Sequence, residues 1–286
     1  MCQSAGLDMS VVAVLLFLAA LSGGVVALGW TKTDQAPELL WEPRAFAASY
    51  TSVIGPLAAF SVASAIFMAG VSVNRQTSAF HTMIGMLLIA YIVFTGTAMM
   101  FASTPGPVAA KADDKNFERL QRFSIAVAML GYGVGVSIAW LTLRPLLVAI
   151  ELTELAGVFT WVLLVTTISA CTRWVLFLHR MFETRRIAAM LVPVLGLTAT
   201  SIYYLLLGRT FPVLWPESNA PLVLTMILFA IVVLGFATHS MMLSAYGRPS
   251  FDGLLARHGH RVTLAFYSAA TGALFLLWFA VSFSPG

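Results

Sequence analysis

Lysine is nearly missing from this sequence. The chain has Lys32, Lys111 and Lys115 and none beyond, so no later hydrophobic run offers an amine for a Schiff base. Cysteine is as scarce: Cys2 and Cys171 cannot build a disulfide framework or a CxxC metal site, and the second lies deep in an apolar run. Charged residues of both signs amount to only 10% of the chain. That scarcity excludes an ordinary water-soluble domain, whose surface needs far more of them.

What the chain has instead is apolar. Hydrophobic residues make up 59% of it and mean hydropathy is +0.90, which predicts an integral membrane protein. The formal charge of +4 would suit an anionic partner in a soluble protein. Here the basic excess sits in short loops, where membrane topology accounts for it, and nucleic acid is not indicated as a partner.

A bilayer crossing takes about 20 apolar residues. Runs of that kind predict an all-α polytopic bundle with spans near 9–30, 47–73, 79–102, 123–147, 156–178, 187–207, 219–244 and 261–283, eight in all. The first run has no basic segment before it and reads as a retained helix. The chain therefore divides into residues 1–46, a transmembrane helix with an interfacial loop, and residues 47–286, a seven-helix bundle. No soluble domain, low-complexity tail or internal repeat is evident.

Basic residues segregate by loop. One side carries Lys32, Arg44, Lys111, Lys115, Arg119, Arg122, Arg180, Arg185, Arg186, Arg248, Arg257 and Arg261, and the other only Arg75, Arg144 and Arg209. This asymmetry predicts that the first set faces the cytoplasm, in a chain expected in a prokaryotic cytoplasmic membrane.

The segment from Phe123 to Leu155 organises the rest. Within it Trp140, Arg144, Pro145 and Glu151 stand close together, and an interior proline frees a carbonyl one turn back that needs a partner inside the protein. The segment is therefore expected to face the bundle interior. Arg144, Glu151 and, in the next span, Arg173 are the intramembrane charges, each a functional candidate by default. Arg173 is expected to snorkel to the basic interface, and Glu151 and Glu154 to end their span. Gly131, Gly133 and Gly135 read as close helix contacts. A cavity for a flat ligand is the sharper meaning. Among the five histidines, His179 and His239 are the candidate ligands for a haem or a metal ion, with His258 and His260 behind them. The blander reading makes them interfacial residues beside arginines.

The layout of the last seven spans, with Trp140-Leu141-x-x-x-Pro145-Leu146-Leu147 followed by Glu151, resembles the microbial rhodopsins, in which such a Trp packs on retinal in the third helix. The resemblance covers about residues 47–283 and implies that Ala139, Trp140, Pro145 and Thr271 line the cofactor space. The chain departs from that family where the chemistry sits. Ala139 stands at the counterion position, Val136 where an arginine is expected, and no lysine occurs near Ala270 to Gly272. No covalent retinal is therefore expected. Non-covalent retinal or a carotenoid fits the resemblance, and haem fits the histidines.

The preferred reading is a lysine-less rhodopsin-like protein acting in sensing, ligand binding or as a partner subunit, with the bilayer, a second membrane subunit or its own copy as partner. The alternatives are a haem- or metal-binding subunit of a redox or oxygenase complex, and a small transporter or channel using Arg144, Glu151 and Arg173. Non-enzymatic action is favoured because no nucleophile–base pair, phosphate-binding loop or paired carboxylates at catalytic spacing can be identified.

Overall fold

The structure is a computed structural model, and it describes residues 43–72, 78–103, 115–182, 220–245 and 249–283. Its elements are α1 (Pro43–Ser72), α2 (Ser78–Ala102), α3 (Lys115–Leu141), α4 (Leu143–Ala149), α5 (Thr153–Phe182), α6 (Ala220–Ala245) and α7 (Pro249–Phe283). Among the described residues there is no strand. Helix is what apolar backbone requires in lipid, because only helices and closed barrels satisfy every N–H and C=O internally. Polar side chains join that accounting. Thr97, Ser124, Thr167 and Thr225 each donate a hydroxyl to the carbonyl four residues earlier, at 2.7–2.8 Å.

Among the described residues five helices are long and apolar enough to cross a membrane: Ala47–Gly70, Phe80–Ala102, Leu120–Ala149, Pro221–Ser244 and Arg261–Ser282. The chain is an integral membrane protein of α-helical type. The expected number of eight spans is not reached among the described residues. The runs at 9–30 and 187–207 lie outside them, as does most of the 1–46 unit. The span expected at 156–178 falls in the α5 helix, where the apolar stretch found among the described residues is Thr153–Ile168. Beyond it Arg173, His179 and Arg180 break the apolar run.

Helix α3 is the axle of the bundle and touches every other described helix. Together α3 and α4 form one continuous crossing, whose apolar stretch is mostly buried, whereas that of α1 is mostly exposed. Three glycines explain how so many helices approach it. A side chain at Gly131 would overlap Thr97 of α2 and press on Phe236 of α6; at Gly133 it would overlap the Trp174 ring of α5; and at Gly135 it would come within 2.8 Å of Phe94 of α2. The space at these glycines is thus filled by the protein's own aromatic rings.

Contacts along α3 fix the direction of its neighbours. Helices α2, α5 and α6 run antiparallel to it, and α7 runs parallel. One end of the bundle therefore gathers the start of α3 and α7 and the finish of α2, α5 and α6. The opposite end gathers α4, the start of α5 and the finish of α7.

Candidate functional site

At the α4 end the continuous crossing is interrupted in name more than in shape. Pro145 has no N–H to give, yet Thr142 keeps helical angles (φ −69°, ψ −18°) and the ladder resumes at once from Leu146 N–H to the Thr142 carbonyl, 3.3 Å. The Thr142 hydroxyl donates to the Ala139 carbonyl at 2.6 Å. This geometry carries Arg144 across to two other helices. Its Nε donates to Thr160 Oγ1 on α5 at 2.9 Å, and its Nη1 donates to the Val281 carbonyl on α7. Thr160 passes its own hydroxyl proton to the Ala156 carbonyl at 3.0 Å, and its carbonyl accepts Trp278 Nε1–H at 3.2 Å. Arg144, Thr160 and Trp278 thus tie α4, α5 and α7 together.

The partners are all neutral. Val281 lies in the last turn of α7, where carbonyls lack intrahelical donors and the helix dipole is negative, so the guanidinium caps that helix in trans. Two of the five N–H donors of Arg144 are used, and among the described residues no carboxylate meets it. The side chain as a whole is half-buried.

Glu151 and Glu154 are exposed. Glu151 sits at φ +67°, the left-handed region, and ends α4: its N–H reaches the Val148 carbonyl at 3.0 Å and Leu152 N–H reaches the Leu147 carbonyl at 2.9 Å. Arg173 is exposed on α5, thirteen residues beyond Thr160, about 20 Å along a helix at roughly 1.5 Å per residue. Arg144, Glu151 and Arg173 are therefore not assembled into one site.

At the opposite end, His239 of α6 is 2% exposed, and its Nε2 pairs with Ser124 Oγ of α3 at 2.8 Å. Ser124 already donates to the Leu120 carbonyl, so the bond places a proton on Nε2. The side chains of His179, His258 and His260 lie outside the described set. Among the described residues no group of three His, Cys, Asp or Glu could hold a metal ion.

The residues expected to line a retinal-like space differ in burial. Trp140 is 45% exposed on the outer surface, and Ala139 and Pro145 are half-buried. Thr271 is fully buried in α7 beside the Cys171 thiol, its Oγ1 without a well-aligned hydrogen-bond partner among the described residues. Thr160, Trp278, Ser124 and the Val281 carbonyl were not anticipated. A hydroxyl or indole inside an apolar run has no local mark of what it meets.

Fold and site together define an α-helical membrane protein with an arginine-centred node at one end of its bundle. Compared with known proteins, the chain matches no family model, no curated protein and no solved structure.

Proposed function

We propose that this protein works by binding, as a rhodopsin-like helical bundle without a Schiff base, and that Arg144 receives the anionic group of a ligand or partner. In this reading the Lys- and Arg-rich end faces the cytoplasm and the Arg144 end faces outward. The observation that carries it is the Arg144 guanidinium, anchored on α5 and α7 by neutral acceptors with N–H donors to spare. A guanidinium partly withdrawn from water is costly unless an anion or water compensates it, and a charge held in place by two helices is pre-organised to accept one.

The test is a ligand screen by thermal unfolding of the purified protein, comparing wild type with Arg144→Gln. Carboxylate- or phosphate-bearing amphiphiles should stabilise the wild type, and the substitution should remove most of that gain. Equal stabilisation of both proteins by every anionic compound would sink the reading.

A further inference from the structure

The Arg144 node has neighbours on the outer surface that its hydrogen bonds do not involve. Trp140 lies one turn before Arg144 on the same crossing and is exposed. Trp161 follows Thr160, the residue that accepts from Arg144, and is also exposed. Two tryptophans on the outer surface at the level of one arginine form the pattern that marks the boundary between hydrocarbon and headgroups, where an amphipathic indole is most stable.

Depth agrees. Arg144 is five residues from the finish of the crossing at Ala149, about 8 Å along the axis at roughly 1.5 Å per residue. Val281, whose carbonyl it holds, is two residues from the finish of α7 at Phe283. An arginine side chain at that depth reaches the phosphate layer. The carboxylates nearest in sequence, Glu151 and Glu154, are exposed and do not pair with it.

We infer that the anion Arg144 takes is a phosphate group, seated at the outer edge of the α4–α5–α7 junction beside Trp140 and Trp161. This rests on the anion-binding reading above and names its ligand class. A guanidinium fork matches phosphate oxygens in geometry and charge. Thr160 and the Val281 carbonyl hold one part of the fork and leave the rest for the ligand. The phosphate of a membrane lipid and a soluble phosphate share this chemistry, and the experiment separates them.

The protein is purified in a maltoside detergent, which contains no phosphate, and its unfolding midpoint is followed while phosphatidylglycerol, inorganic phosphate or oleate is added. Phosphatidylglycerol should raise the wild-type midpoint by about 4 °C or more near saturation, and Arg144→Gln should lose most of that rise. Ser244→Ala, an exposed hydroxyl lost from α6 far from the node, should retain it. If Arg144→Gln does not fold, Arg144→Lys replaces it and should need at least about threefold more lipid for half the effect, because the fork is lost. A rise from inorganic phosphate equal to that from lipid supports the phosphate site with a soluble anion as its source. An Arg144-dependent rise from oleate alone overturns the phosphate and leaves the anion-binding reading standing. No rise from any of the three, or a lipid response unchanged in the Arg144 variant, overturns both.

Discussion

The two ends of this bundle handle buried polarity in opposite ways. At the Ser124 end buried hydroxyls and an imidazole close on one another and on the backbone: Ser124 serves the Leu120 carbonyl and His239, and Tyr267 donates to the Ala126 carbonyl at 2.8 Å while packing edge-on against Trp174 at 5.2 Å. These groups are buried and neutral. At the Arg144 end the central group is charged, half-buried and only partly used. Groups that close on themselves hold a bundle together, whereas a charge with donors left over has capacity for something else. The comparison matches the proposed reading, in which the first end packs and the second binds.

The first prediction strikes the packed end hardest. Gly133→Val forces a branched side chain into the Trp174 ring, which is itself held edge-on against Tyr267. Overpacking of this kind costs about 3 kcal/mol, and thermal unfolding in detergent should show a large drop with no change in ligand response. A tolerated valine would show that α3 and α5 are not closely packed there.

A smaller loss comes from Ser124→Ala. It strips buried His239 of its hydrogen-bond partner, at a cost of about 1–3 kcal/mol for an unsatisfied buried polar group. Threonine at the same position should restore most of the stability. If haem or metal content, measured on the same preparations, rose in the alanine variant, His239 would be available as a ligand and the assignment of this end to packing would break.

The smallest effect has the opposite sign. Glu151 adopts a left-handed conformation that costs a non-glycine residue about 1–2 kcal/mol, and glycine would relieve it while giving back about 0.5–1 kcal/mol of chain entropy. Glu151→Gly should therefore be more stable by about 0.5 kcal/mol with an unaltered response to anionic ligands. A lost ligand response in that variant would bring the Glu151 carboxylate into the site and enlarge it beyond Arg144.

Much of the bundle was legible in the residues, but unevenly. The runs at 79–102 and 219–244 became α2 and α6 within a residue or two, because a long apolar run with no proline beyond its first turn has one stable conformation in lipid. Gly131, Gly133 and Gly135 were readable as contact points, though not which rings would fill them. Arg144 was singled out by its charge. Trp140 drew attention for the same segment, but its exposed position follows from how α3 turns against its neighbours. In a membrane both faces of a helix are apolar, so sequence periodicity does not tell the inner face from the outer as it does in water.

Composition and run length by themselves determined that this chain is a helical membrane protein, where its described crossings lie and that its few charges are exceptional, because helix formation in lipid is satisfied locally along each segment. Only the tertiary structure decided which groups meet. Arg144 finds Val281 across 137 positions and His239 finds Ser124 across 115. Such pairings depend on the angle and depth at which helices pack, and those are set by side-chain shape summed over the whole bundle.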